Sequence, residues 1–160
     1  MRREPYNRPA SVDYAKKWAL ARNPRYYNFD GIGGDCTNFA SQCLFAGSGV
    51  MNDTKDVGWY YRSPADRAAA WSDAQYFHNF LVGNQRIGPV AAEIPLSQLE
   101  IGDFVQLHNG TEYAHTLIVT GFSNGEPLVC AHTEDAYMRP LQTYLHSTKQ
   151  GLHIAGVNRW

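Results

Sequence analysis

Cys36, His115 and His132 are the residues whose types could combine into nucleophilic chemistry. Cys36 follows Gly33-Gly34-Asp35 and stands at the expected first turn of a helix. A helix N-terminus carries partial positive charge, which favours thiolate over thiol and should lower the cysteine pKa. The unpaired N–H groups of such a turn can donate to a developing oxyanion. Gly34 would let a substrate carbonyl approach the backbone closely. A lone cysteine at a helix start is more often a small buried residue. A histidine base that also protonates the leaving amine shifts the balance toward chemistry.

Six histidines are present. His78, His108 and His146 sit in polar or turn contexts and read as solvent-facing, and His153 is ambiguous. His115 opens the strand-like run His115-Thr116-Leu117-Ile118-Val119-Thr120, and His132 ends the next one. A two-residue Asn124-Gly125 turn would set Leu117 opposite His132. His115 and His132 would then be diagonal neighbours on one face, a register that a one-residue slip destroys. In that arrangement Cys36 attacks, His115 acts as base and then acid, and His132 orients the imidazole. Zinc is the rival chemistry, with His115, Cys130, His132 and Asp135 as ligands. However, Cys-x-His is not a usual ligand spacing, and no CxxC or HExxH occurs. Gly31-Ile32-Gly33-Gly34 lacks the Lys-Ser/Thr of a phosphate loop. No metal and no cofactor are expected.

These residues need helices to hold the thiol and strands to hold the imidazoles. Residues 10–22 show an apolar stripe through Tyr14, Ala15, Trp18 and Ala19 and stop at Asn23-Pro24. A second helix is expected over 36–46, with Asp35 as its cap and Gly47-Ser48-Gly49 after it. A third is expected over 73–82, capped by Ser72. Residues 48–70 lack periodicity and read as a long irregular segment of the kind that borders functional sites. From residue 100 onward, Phe104–Leu107, His115–Phe122, Pro127–His132 and Gly151–Asn158 are strand-like, with Asn109-Gly110 and Asn124-Gly125 as turns. Pro140–Leu145 reads as one or two helical turns. The class is α+β, with N-terminal helices packed on a C-terminal antiparallel sheet, in one domain spanning 1–160.

The nonapeptide Gly34-Asp35-Cys36-Thr37-Asn38-Phe39-Ala40-Ser41-Gln42 resembles the DCTNFVSQ-type signature of the bacterial putative amidase domain family. That family is similar to the CHAP and NlpC-type cysteine peptidases, which share a papain-like core. Tyr6-Asn7-Arg8, Asn23-Pro24, Gly58-Trp59-Tyr60, Ile101-Gly102-Asp103-Phe104-Val105 and His115–Thr120 agree with it, as do His132-Thr133 and Pro140-Leu141. The resemblance implies a nucleophile at Cys36, a base at His115 and a third polar residue from the following strand. That residue would be His132, with Thr133, Glu134 and Asp135 as competitors. It also implies thiol-dependent hydrolysis of an amide bond in a peptide or peptidoglycan-type substrate. Acyl transfer by the same pair, or a non-catalytic cell-wall or protein binding module, are the alternatives.

Asp35 either tunes the nucleophile or caps the helix, and the cap is favoured. Asn38 and Gln42 line a cleft or are buried polar groups. The chain carries 7 Phe, 4 Trp and 10 Tyr, and two groups of them are candidate cleft walls: Tyr26 with Tyr27, and Trp59, Tyr60, Tyr61 and Trp71. Trp18, Phe39, Phe77 and Phe80 are assigned to the core.

Composition closes off other classes. With 160 residues, 44% hydrophobic and 18% charged, the chain is not of a disordered type. A net charge of −1 gives no basic stripe for nucleic acid. No run approaches the roughly 18 apolar residues of a membrane span. The first residues lack the apolar stretch of a signal peptide, which leaves the compartment open between an intracellular protein and a domain of a longer, secreted one. Cys36 and Cys43, roughly 10 Å apart along one helix, are too far apart for a disulfide, whereas Cys43–Cys130 is open.

Overall fold

Asn7 closes the polar start of the chain by accepting a hydrogen bond from the Ala10 N–H, which starts α1 (Arg8–Trp18). The computed structural model describes residues 1–160, and in it Arg2–Glu4 forms a short strand, β1, ahead of this helix. The first helix thus begins earlier than expected and ends at Trp18. The cysteine-bearing helix, α2, runs Cys36–Ser48 and is closed by Gly49 at φ 68°, a conformation glycine adopts without strain. The segment read as irregular contains a small hairpin, β2 (Tyr61–Ser63) with β3 (Asp66–Arg67). Two further helices follow, α3 (Ala69–Ser72) and α4 (Ala74–Gly83). Asp73, not Ser72, caps α4 by accepting from the N–H groups of Gln75 and Tyr76.

The remaining strands are β4 (Gly88–Ile94), β5 (Phe104–His108), β6 (Tyr113–Ser123), β7 (Glu126–Ala131), β8 (Ala136–Pro140) and β9 (Thr148–Arg159). They join β1 in a seven-stranded antiparallel sheet of order β1-β9-β5-β6-β7-β8, with β4 also pairing β9. The class is α+β, as expected. The sequence reading assigns no strand to β4 or β8, and the helical turn expected at Pro140–Leu145 is a 3-10 turn over Leu141–Thr143. No helix is long and apolar enough to cross a membrane.

Strand alternation splits the apolar residues between two cores. Phe104, Ile118, Cys130, Leu152 and Ile154 meet the helices through Phe39, Leu44, Trp71, Phe77 and Leu81. Val105, Leu107, Leu117, Val119, Val129 and Ala131 form the other face, covered by Leu99, Ala136 and Leu141. Phe39 and Phe77 are fully buried as assigned, whereas Trp18 and Phe80 are only partly buried.

The β6–β7 hairpin turns at Asn124-Gly125 as expected, pairing Ser123 with Glu126 and Gly121 with Leu128. A bulge between Val119 and Gly121 then shifts the register, so Val119 faces Val129 and Ile118 faces Cys130. This one-residue slip sends His115 and His132 to opposite faces of the sheet. The expected diagonal neighbourhood is therefore not formed.

Candidate functional site

Cys36 is the first residue of α2, and its approach is made by Gly33 (φ 82°) and Gly34 (φ 96°). A side chain at Gly34 would also press on Thr133, whose hydroxyl oxygen would lie 3.2 Å from the added Cβ. The Asp35 N–H donates to that same hydroxyl at 3.3 Å, so the loop is latched to the turn after β7. Thr133 and Glu134 in that turn both have positive φ, 64° and 56°. For a β-branched threonine this is a costly conformation, of the sort concentrated at functional sites.

The Cys36 sulfur is buried and rests against β6. It lies 3.9 Å from the Ala114 carbonyl oxygen, one residue before His115, and 3.7 Å from the Thr37 hydroxyl. The N–H groups of Cys36, Thr37 and Asn38 have no oxygen acceptor within the protein, as suits the first turn of a helix. The expected lowering of the thiol pKa is not found. Burial pushes it up, and the Asp35 carboxylate adds to the rise. Hydrogen bonds from the Thr116 and Thr37 backbone and the Thr37 hydroxyl oppose it without prevailing.

His115 is half-buried and shares a cavity of about 270 Å³ with Leu107, Leu117, His132, Thr133 and Glu134. No hydrogen bond joins its ring to the sulfur, whose two side-chain or carbonyl partners are Thr37 and Ala114. A second cavity, of about 290 Å³, is lined by Phe29, Gly33, Gly34, Arg67, Ser72 and Tyr76. A larger cavity of about 850 Å³, between Met51, Arg86, Ile87 and Trp160, contains none of the predicted residues.

His132 does not orient His115. Its Nδ1 donates to Asp35 Oδ2 at 2.6 Å and its Nε2 to the Trp18 carbonyl at 2.8 Å, while the ring stacks on Phe39 at 3.9 Å. Both ring nitrogens are occupied, so none is left for a second imidazole. Asp35, favoured as a helix cap, makes no side-chain cap bond. Its carboxylate turns away to accept from the Phe29 N–H and the Asn38 amide, each at 2.9 Å, and from His132. Burial works against its charge, but the hydrogen bonds from His132, Phe29 and Asn38 outweigh it and hold the carboxyl below its ordinary range.

Several expected cleft residues belong to the core instead. Trp59 and Trp71 are fully buried, donating to Ser41 and Asn38 respectively, and Tyr60 is buried beside them. The aromatic-rich segment needed an apolar place for its rings, and the α2 face supplied it. Asn38 is likewise consumed internally, donating to the Tyr27 carbonyl and Asp35. Tyr26 is half-buried, stacked on Trp71 at 5.9 Å, and Tyr27 alone of this set is exposed. His78, read as solvent-facing, is buried.

The ligands of the zinc alternative do not gather. His132 is held by Asp35, Cys130 lies against Thr120, and Asp135 pairs with Arg22. All three cysteines are free, so Cys43 and Cys130 do not pair. Glu100, Asp103 and His153 do cluster, but Asp103 is already neutralised by Arg8 at 2.8 Å and takes the Ile154 N–H at 3.0 Å.

Sequence reasoning missed Arg22, which ties Asp30 and Asp135 to the edge of Asp35. No spacing signal connects residues so far apart. It also missed Thr37 and Thr116, whose hydroxyls meet at 3.0 Å between α2 and β6. Here a signal existed, since each directly follows a predicted catalytic residue.

Comparison with known proteins matches residues 5–155 to the family described as "Putative amidase domain". Two proteins of Bacillus subtilis (strain 168) are similar. Uncharacterized protein YhbB is 34% identical over 140 residues, covering 84% of this chain and 43% of its own length. Uncharacterized protein YjcM is 29% identical over 155 residues, covering 91% and 35%. The chain therefore spans less than half the length of either relative. No solved structure matches it.

Proposed function

The chain belongs to the putative amidase domain family, and from that premise we propose that it hydrolyses amide bonds through a thioester at Cys36, on a papain-like core. The observation that carries this reading is the seat of Cys36: a thiol on the first turn of α2, against the strand residue that precedes His115, with three N–H groups free of oxygen acceptors around it.

Burial raises the thiol pKa, so a hydrolytic cycle has to remove the Cys36 proton. Attack is coupled to proton transfer. As the substrate carbonyl enters beside Gly34, the Cys36 proton passes to His115 while the S–C bond forms. The oxyanion is held by the N–H groups of the first turn of α2. His115 then protonates the leaving amine as the C–N bond breaks. Water, deprotonated by the same ring, hydrolyses the thioester and returns the thiol. The His115 ring lies with Leu107 and Leu117, on the face of the sheet away from α2, so this reading requires the ring, at the start of β6, to turn toward Cys36 when substrate binds. With His132 committed to Asp35, Glu134 is the acidic residue left in the cavity to orient His115. One cavity at His115 and another at the glycine loop suit a substrate with several residues, such as a peptide or the peptide part of a cell wall.

The test is amine release from a peptide and muropeptide library. The parent should cleave at least one member, and Cys36→Ala should lose the activity by at least about a thousandfold. Retained hydrolysis in Cys36→Ala would remove Cys36 as the nucleophile. Product trapped on an added amine rather than on water would redirect the reading to acyl transfer.

A further inference from the structure

A line of buried side chains runs from Cys36 into the sheet: Thr37, Thr116, Gln106 and His78. Thr37 Oγ1 lies 3.7 Å from the sulfur and 3.0 Å from Thr116 Oγ1. The Gln106 amide nitrogen is 3.1 Å from Thr116 Oγ1 and 2.8 Å from the Ala74 carbonyl oxygen, and its Oε1 is 2.8 Å from His78 Nδ1.

The direction of every hydrogen in this line follows from one group. The Ala74 carbonyl can only accept, so the nitrogen end of the Gln106 amide must face it. The second amide hydrogen then points at Thr116. Oε1 faces His78, whose Nδ1 must carry the hydrogen. Thr116, having accepted from Gln106, gives its hydroxyl hydrogen to Thr37. Thr37, having accepted in turn, gives its own to the neighbour that remains, Cys36 Sγ. The line is a one-way series of donors that ends on the sulfur. The thiol hydrogen has a separate acceptor in the Ala114 carbonyl at 3.9 Å.

We propose that Gln106, Thr116 and Thr37 are positioning residues that keep a hydroxyl hydrogen aimed at Cys36 Sγ, with the polarity of the line set by the Ala74 carbonyl. The inference rests on Cys36 being the reactive group. What the line supplies is a donor already oriented when the sulfur becomes an anion. A hydrogen bond to a charged acceptor is stronger than one between neutral partners, so the bond gains strength as the proton leaves. A chain of such bonds polarises along its length. Gln106 therefore acts on the sulfur from two hydroxyls away. The other ionisable groups near the sulfur are Asp35, which precedes it, and His115, which follows Ala114. His78 closes the far end, with its Nε2 3.9 Å from Glu93.

The experiment is the pH profile of iodoacetamide alkylation at Cys36, read peptide by peptide so that Cys43 and Cys130 are counted separately. Thr37→Val keeps the shape and removes the last donor. It should move the midpoint upward by about one pH unit and slow alkylation at pH 7 about tenfold. Thr37→Ser keeps the hydroxyl and should retain the parent profile. Gln106→Met frees Thr116 to turn away and should slow alkylation at pH 7 about threefold. The double variant Thr37→Val/Gln106→Met should be no slower than Thr37→Val alone, because both changes act through one hydrogen. Should Gln106→Met not fold by near-UV circular dichroism, Thr116→Val takes its place in the same cycle. The proposal is overturned if Gln106→Met and Thr116→Val leave the profile unchanged, if the two effects multiply, or if Thr37→Ser shifts as far as Thr37→Val. Hydrolysis is not read in this experiment, so a Cys36→Ala protein that still cleaves would end the functional reading without altering these profiles.

Discussion

Asp35 is almost fully buried yet charged, and its three hydrogen-bond donors come from three parts of the chain: Phe29 in the loop before it, Asn38 one turn on, and His132 from beyond β7. A buried carboxylate of this kind is worth little beside an apolar replacement of the same shape, but removing one partner from it is expensive. His132→Ala should therefore cost about 3 kcal/mol in urea-induced unfolding, a loss under about 1 kcal/mol contradicting the role assigned to the pair. The pH dependence has a defined sign. The folded Asp35 carboxyl titrates below its ordinary value, so its contribution is fully present above the unfolded pKa of about 4 and disappears as pH falls through the folded one. Stability of the parent should decline below about pH 4, and Asp35→Asn should flatten that decline. At this scale the sequence singled out Cys36 and His115, and the fold sets them on adjacent elements, α2 and β6. Partners were less legible. A helix-start aspartate suggests a cap, and nothing in its neighbours indicates that a histidine 97 positions later will draw its carboxylate away.

Elements meet closely where a side chain is missing. Gly47 lies in α2, where alanine would ordinarily gain up to about 1 kcal/mol in helix propensity. A methyl group there, however, would overlap the Tyr6 ring and stand 2.7 Å from the Asn7 carbonyl oxygen. Neither can retreat easily, because the Tyr6 hydroxyl is bonded to Gly102 and Ser11, and the Asn7 N–H donates to the Gly47 carbonyl. Overpacking costs about 1–3 kcal/mol, so Gly47→Ala should be destabilising by about 1–2 kcal/mol in chemical denaturation. A more stable Gly47→Ala protein would show that α1 and α2 are less firmly docked than described. The same closeness limits what patterning reveals. The Asn124-Gly125 turn was legible because φ is positive at both central residues, 51° and 80°, which that dipeptide tolerates. The bulge at Thr120, four residues before that turn, carries no such signal, and it reverses the facing of the β6 residues from there back to His115. β4 and β8 escaped for a related reason. The first opens on Gly88-Pro89 and the second contains Met138 at φ 52°, neither of which reads as strand.

The helical layer and the sheet are joined by a charge as well as by the apolar core. Arg8, in α1, reaches the fully buried Asp103 at 2.8 Å and also donates to the Ile101 and Ile154 carbonyls. Asp103 in turn accepts from the Glu100 and Ile154 N–H groups and faces His153 at 3.0 Å. One guanidinium thus bridges the first helix, the turn before β5 and the last strand, segments spread over nearly the full chain. The order of helices and strands could be read from periodicity because each element's pattern is local. A tie between residues 8, 103 and 154 is not local, and only the folded molecule displays it. Its removal should be felt globally. Arg8→Met keeps the stem that packs along the sheet but leaves Asp103 charged and short of its cation, at a cost of about 3 kcal/mol. In a domain of this size that corresponds to a fall in Tm of about 6–12 °C. Arg8→Lys restores the charge without the planar fork that serves two carbonyls and a carboxylate together, so its Tm should lie between the two. Because Arg8 makes no contact with the glycine loop or the His115 cavity, Cys36 alkylation at 25 °C should be the same in all three proteins. A Tm fall below about 2 °C in Arg8→Met would mean that the backbone donors and His153 alone suffice to hold Asp103. Equal stability of Arg8→Lys and the parent would place the whole effect in net charge rather than in the geometry of the fork.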